Sequence, residues 1–141
     1  MTDKICELPE GYVPSKNEEF MNDLQREYFR RKLVSWKDEL LKESDAALKH
    51  LQEEDKTAFT DVADYASAET DLGYELRSKE RARKLIAKID GALKKIKDGS
   101  YGFCVETGEP IALKRLEARP IATLSLEAQE RHEHAEKLKK D

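Results

Sequence analysis

Two stretches of this chain carry apolar residues at heptad spacing, and that pattern leaves little choice of fold. In the first, Leu33, Trp36, Leu40, Ala47 and Leu51 follow one another at intervals of 3, 4, 7 and 4 residues. In the second, Leu72, Ala82, Ile86, Ile89, Leu93 and Ile96 fit one seam, with Glu75 and Lys79 at the places left over. Such spacing aligns apolar side chains along one face of a helix, so that two helices pack along their length. Asn22 is a suitable N-cap, and the first helix is expected from there to about Gln52, the second from about Asp64 to Lys97. A polar break, Glu53-Glu54-Asp55-Lys56-Thr57, separates them. Two helices of this length joined by a short polar loop make an antiparallel hairpin. Each would span about 45 Å at roughly 1.5 Å per residue. The seam turns polar towards the loop, and Gly73 costs the second helix about 1 kcal/mol relative to Ala. The loop end is therefore expected to be the thinner one.

The remainder is shorter and less regular. Residues 1–21 hold Pro9, Gly11 and Pro14 and no sustained period; they read as an extended arm with Tyr12, Val13 and Phe20 available to pack on the globular end. Asp98-Gly99-Ser100-Tyr101-Gly102 stops the second helix, with Gly99 suited to a left-handed cap. Tyr101, Phe103 and Val105 alternate like a strand, and Thr107-Gly108-Glu109-Pro110 reads as a turn. Leu113 to Arg119 predicts a brief helix that ends before Pro120, and Glu127 to Lys140 a polar one. A module of about 40 residues is below the size that holds itself together without metal, disulfide or outside packing. It is expected to lean on the hairpin base and the arm. The architecture predicted is mainly α: an arm over 1–21, a coiled-coil hairpin over 22–98 with its tip near 56–66, a small zinc-finger-like module over 99–127, and a C-terminal helix over 128–141.

Composition narrows the function classes. The 141 residues are 40% charged and 38% hydrophobic, with a net charge of −4. That balance is too mild to drive DNA binding by phosphate neutralisation. No apolar run approaches the roughly 18 residues of a membrane span, and the N-terminus lacks the apolar core of a signal peptide. Two cysteines, Cys6 and Cys104, make no disulfide framework, which fits a reducing cytoplasm. The average hides a polarity. From Glu53 to Glu75 the net charge is −7, and from Leu76 to Lys97 it is +7. An acidic tip suits a positive or metal-containing cavity, and a basic base suits an anionic ligand or partner.

Cys104 stands in Cys-Val-Glu-Thr-Gly, where a zinc ribbon places its first ligand pair. Structural zinc takes four Cys or His ligands, yet the second place of the pair is Thr107, and Leu124-Ser125-Leu126-Glu127-Ala128 offers no ligand downstream. His132 and His134 are two apart on a predicted helix and point to different faces. No metal is expected, and Cys104 reads as a small buried apolar residue. Cys6 reads as incidental.

Three stretches together carry a resemblance that none carries alone: Glu75 to Lys95 (ELRSKERARKLIAKIDGALKK), Tyr101-Gly102-Phe103-Cys104, and Arg115-Leu116-Glu117-Ala118-Arg119-Pro120. With Asp61-Val62-Ala63-Asp64-Tyr65-Ala66 in the pattern Asp-x-x-Asp-x-Ala, the chain resembles the DksA/TraR family of transcription factors over roughly Tyr12 to Ala128. The resemblance implies binding to RNA polymerase at its secondary channel, with the hairpin tip approaching the catalytic centre. Asp61, Asp64 and Ala66 match the family's tip residues. It also implies ppGpp as an effector at the polymerase interface, with Lys88 and Arg119 matching basic positions and Leu85 an apolar neighbour. An Arg that binds in a bidentate manner and a Lys point charge are sound phosphate ligands. Arg81 and Arg115 match positions facing the polymerase rim.

The chain departs from that pattern twice. Cys104, Thr107, Ser125 and Ala128 occupy the four positions that carry cysteine in many relatives, which resembles the zinc-independent members with a Cys-Thr pair. Gln129 stands at a further basic ppGpp position, so one charged phosphate contact of the family is missing there, and effector affinity is the property this departure bears on. The function implied is a monomeric, non-enzymatic regulator of initiation at rRNA and amino-acid biosynthesis promoters, without direct DNA binding. One alternative is a hairpin transcript-cleavage or elongation-type factor acting through the same channel, with Asp61 and Asp64 holding Mg²⁺ in the cleavage case. They are three apart beside a loop, with no neighbouring general base. The other is a coiled-coil adaptor, which the polar seam positions and short loop disfavour.

Overall fold

A computed structural model describes residues 4–55 and 62–140. Side chains at 45–55, 62–69, 71 and 140 are outside the description, and with them the seam positions Ala47 and Leu51. Among the described residues there are four helices: α1 (Asp23–Asp55), α2 (Val62–Asp98), α3 (Leu113–Ala118) and α4 (Leu126–Lys140). The two long helices are the hairpin arms expected from the heptads. α1 starts where the sequence indicates, because the Asn22 side chain accepts from the Gln25 N–H at 2.9 Å, satisfying one of the orphan donors of a first turn. It runs on through Asp55: Glu53 and Glu54 are good helix formers and break the apolar pattern without breaking the helix. α2 ends at Gly99, whose φ of +88° lets its N–H and that of Ser100 close on the Lys95 carbonyl at 2.9 and 3.0 Å.

The chain forms two compact units, Ser35–Ile89 and Met1–Val34 with Asp90–Asp141. The first holds most of both long helices. Ile89 is fully buried, Trp36, Leu40, Ala82 and Ile86 are half-buried along the expected seam, and Leu85, outside that seam, is half-buried too. Leu41, Leu72, Tyr74 and Leu76 are exposed.

The second unit holds the opposite ends of α1 and α2. The Arg26 guanidinium donates to the Ile96 carbonyl, so the start of one helix meets the end of the other and the two run antiparallel. Its core is Phe29, Leu33, Ala92, Ile96, Tyr101, Cys104, Ile111, Leu116 and Ala128. Aromatic edges knit it: Phe29 lies 5.2 Å from Tyr28 and 5.6 Å from Tyr101 between ring centroids. From the arm, Tyr12 lies edge-on to Tyr28 at 6.2 Å and Phe20 edge-on to Phe103 at 5.4 Å, while Val13 is exposed.

One local expectation is corrected. Residues 101–105 do not form a strand: Gly102 has φ +89° and turns the chain, and only an isolated bridge, Phe103 to Pro110, remains. The turn falls at Val105–Thr107, starting two residues before the expected Thr107–Pro110, and is closed by the Gly108 N–H on the Cys104 carbonyl at 2.8 Å. None of the helices is long and apolar enough to cross a membrane, among the described residues.

Candidate functional site

The residues expected at the hairpin tip are only partly open to description. Asp61 lies outside the described residues, while Asp64 and Ala66 fall in the first turns of α2 with their side chains outside the description. Further along α2, in the same unit, Arg81 is exposed and donates to Ser78 Oγ at 3.1 Å. Lys88 is exposed and Leu85 half-buried. These three positions sit on the basic stretch of α2, separated by 4 and 3 residues.

Arg119 belongs to the other unit. It is the C-cap of α3, exposed, with its N–H closing on the Arg115 carbonyl at 2.7 Å. Arg115 is half-buried, and its Nε donates to the Leu124 carbonyl at 2.9 Å. That bond joins α3 to the loop before α4. Gln129 is half-buried in the first turns of α4 and donates to Glu133 at 3.1 Å.

The four zinc-finger positions converge, and hydrogen bonds link them. Cys104 is buried. The Thr107 hydroxyl and the Ser125 N–H hold its sulfur as thiolate; burial opposes them, the N–H groups of Thr107 and Glu106 add to them, and the thiol comes down to about 6 from an ordinary 9.0. Thr107 Oγ in turn accepts from the Glu109 N–H at 3.2 Å. Ser125 N-caps α4, its Oγ accepting from the Ala128 N–H at 3.2 Å, and Ala128 is a fully buried methyl. The Cys104 N–H donates to Glu109 and the Val105 N–H to Thr123, at 2.8 and 2.9 Å, tying the two loops together. The expectation of Cys104 as a plain apolar residue is thus half right: it is buried, but its sulfur is a hydrogen-bond acceptor in a ring of donors.

This donor set does not fit zinc. A structural site takes four N or S ligands in a tetrahedron, and here one thiol faces two hydroxyls already committed to other bonds and a methyl. No group of three or more His, Cys, Asp or Glu placed to hold a metal ion occurs among the described residues. His132, the nearest imidazole in the sequence, pairs instead with Glu106 at 2.8 Å.

Three structural groups were not anticipated. Glu27, fully buried, accepts from the Ile5 N–H at 2.9 Å and from Arg30 at 2.7 and 2.8 Å, and also from Arg31. Burial alone pushes its carboxyl up, but those bonds outweigh it and hold the group at about 2. The Glu-x-x-Arg-Arg spacing carried that signal, since residues three and four apart face each other on a helix. Lys32 donates to the Glu117 carbonyl at 2.9 Å, and Tyr28 donates to the Glu117 carboxylate. Tyr101 donates to the Pro120 carbonyl at 2.8 Å inside the core. Those partners are more than 15 residues apart, beyond anything a local pattern reports.

Comparison with known proteins identifies the architecture. Residues 25–96 match the family model described as DnaK suppressor protein DksA, N-terminal domain, and residues 99–134 the prokaryotic dksA/traR C4-type zinc finger. The chain is 58% identical over 130 residues to the RNA polymerase-binding transcription factor DksA of Caulobacter vibrioides, covering 92% of this chain and 91% of that one. It is 41% identical over 128 residues to the protein of the same name from Escherichia coli K12, covering 91% of this chain and 84% of that one. Among solved structures it is similar to transcription factor DksA2 from Pseudomonas aeruginosa, with a TM-score of 0.78 and 42% identity over 84% of this chain and 90% of that one.

Proposed function

The chain belongs to the DksA/TraR family, and from that premise we propose that it binds RNA polymerase and regulates transcription initiation, ppGpp deepening its effect. The observation that carries this reading is identity along nearly the whole chain to relatives named RNA polymerase-binding transcription factors. Two features of the molecule support its details. The hairpin concentrates negative charge around its connection and positive charge along α2, the polarity needed for a tip that enters a channel and a base that meets anions. In this reading Asp61, Asp64 and Ala66 act at the tip in the secondary channel. Lys88, Leu85 and Arg119 hold ppGpp against the polymerase, while Arg81 and Arg115 face its rim.

Gln129 offers an amide where a cation would bind phosphate, so the ppGpp response is weaker than in a relative with Lys or Arg there. The module at the base works without zinc, its place taken by the Cys104–Thr107–Ser125 hydrogen bonds. The protein acts in the cytoplasm as a monomeric regulator; it neither catalyses a reaction nor contacts DNA.

Abortive initiation by purified RNA polymerase at an rRNA-type promoter tests this. Inhibition that ppGpp deepens and that Asp64→Asn reduces at least tenfold in potency is the expected result. Normal polymerase binding with no effect on initiation, or accelerated transcript cleavage in a backtracked complex, would overturn it.

A further inference from the structure

We propose that Lys32 and Tyr101 are positioning residues for Arg119, fixing the backbone that presents its guanidinium and so setting the sensitivity to ppGpp. This rests on the reading of Arg119 as a phosphate ligand.

Arg119 combines an exposed side chain with a backbone tied on both flanks. Before it stands α3, six residues long, which is too short to hold its own shape. Its last turn is held from α1. Lys32 Nζ donates to the Glu117 carbonyl at 2.9 Å and pairs with the Glu117 carboxylate at 3.3 Å, while the Tyr28 hydroxyl donates to the same carboxylate. Lys32 lies 6.0 Å above the Tyr28 ring centroid, which fixes its approach. An ammonium at the carboxyl end of a helix is also where the aligned peptide dipoles favour it.

After Arg119 the chain is held from another direction. Pro120 is buried, its φ fixed by its ring, and its carbonyl accepts from the Tyr101 hydroxyl at 2.8 Å. The Ala122 N–H returns to the Arg119 carbonyl at 3.0 Å. Tethers from α1 and from the segment after α2 thus bracket a single exposed arginine. Both tethers end on the Glu117 and Pro120 groups that flank Arg119, so each acts on its guanidinium through the backbone.

Such bracketing matters for a bidentate ligand. Two parallel N–H···O bonds to a phosphate need the guanidinium plane in one orientation, and a backbone already held in place avoids the ordering cost at the moment of binding. Loss of one tether is expected to raise the ppGpp concentration for half-maximal effect by about 3- to 10-fold. Effector-free inhibition is expected to stay unchanged, because neither Lys32 nor Tyr101 belongs to the tip or the rim contacts.

The test titrates ppGpp into abortive initiation with full-length Lys32→Met, Lys32→Arg, Tyr101→Phe and Arg119→Ala proteins, each also titrated without ppGpp. The expected result is a rightward ppGpp shift for Lys32→Met and Tyr101→Phe, unchanged effector-free potency, and recovery in Lys32→Arg. Wild-type ppGpp sensitivity in Lys32→Met and Tyr101→Phe, with Arg119→Ala insensitive, overturns the positioning role and leaves Arg119 as ligand. A proportional loss with and without ppGpp shows a merely structural role and overturns it too. Wild-type sensitivity in Arg119→Ala removes Arg119 from the effector site, and the positioning role with it. Tyr101→Phe removes a single hydroxyl, so it remains informative if Lys32→Met fails to fold.

Discussion

Cys104 shows how one residue changes character when its neighbours change. A thiolate bound to zinc has its charge neutralised by the metal. Here the Thr107 hydroxyl and backbone N–H groups take that part, and they hold the thiol near 6. An acid whose folded value lies below its unfolded 9.0 adds stability that is fully present above pH 9. That stability is lost as pH falls through about 6. Thr107→Val removes the largest of these donors. It is expected to move the thiolate absorbance midpoint, measured in a Cys6→Ser background, upward towards 9 and to flatten the decline in stability between pH 9 and 6. A midpoint unchanged near 6 would contradict this account of the site. The burial of Cys104 was legible from residue type alone. The ring of donors was not, because Ser125 lies 21 residues downstream and contributes a backbone group that every residue except proline carries.

At the scale of elements, the heptads predicted α1 and α2 well because the signal repeats over many turns, so one irregular residue does not erase it. Their ends were less legible. Glu53 to Asp55 have no apolar signature to extend the pattern, yet nothing in them stops a helix. The strand expected at 101–105 failed at one residue, Gly102. Its φ of +89° turns the chain, and a Cβ there would sit 3.1 Å from Met21 and 3.2 Å from Phe20. Alternation of apolar residues reports which side chains want burial, not which backbone carries them. The joint between the arm and α1 rests on Glu27. Glu27→Gln keeps the shape but leaves Arg30, Arg31 and the Ile5 N–H facing a neutral amide. It is expected to cost about 2–4 kcal/mol in urea denaturation. With the folded carboxyl at about 2 against an ordinary 4.5, its stabilisation is present above pH 4.5 and is lost as pH falls through 2. The variant is therefore expected to lose less stability than the wild type over that range; an equal acid response in both would remove Glu27 from the acid titration.

For the whole molecule, the sequence made the mainly helical plan and the dependence of the small module on its surroundings readable. Too few apolar residues lie in 99–127 to close a core of their own, and the structure supplies Phe29, Leu33 and Ile96 from the long helices and Phe20 from the arm. What no pattern could show is which distant groups fix the backbone on either side of Arg119: Lys32 donates to the Glu117 carbonyl and Tyr101 to the Pro120 carbonyl, each found only when distant segments meet. On the proposed zinc-free reading, the same packing stands in for the metal. The buried aromatic cluster and the loop-to-loop hydrogen bonds constrain the module that four thiolates would otherwise gather.

The protein is proposed to act on RNA polymerase with a base held by hydrogen bonds and packing in place of zinc. The most direct measurement is inhibition of abortive initiation by protein refolded and assayed in EDTA, with its bound metal quantified, against the same protein refolded with zinc. Equal potency in the two preparations, with less than one zinc per ten chains in either, is the predicted result. A stoichiometric zinc ion in the active preparation and loss of polymerase inhibition in EDTA would contradict it.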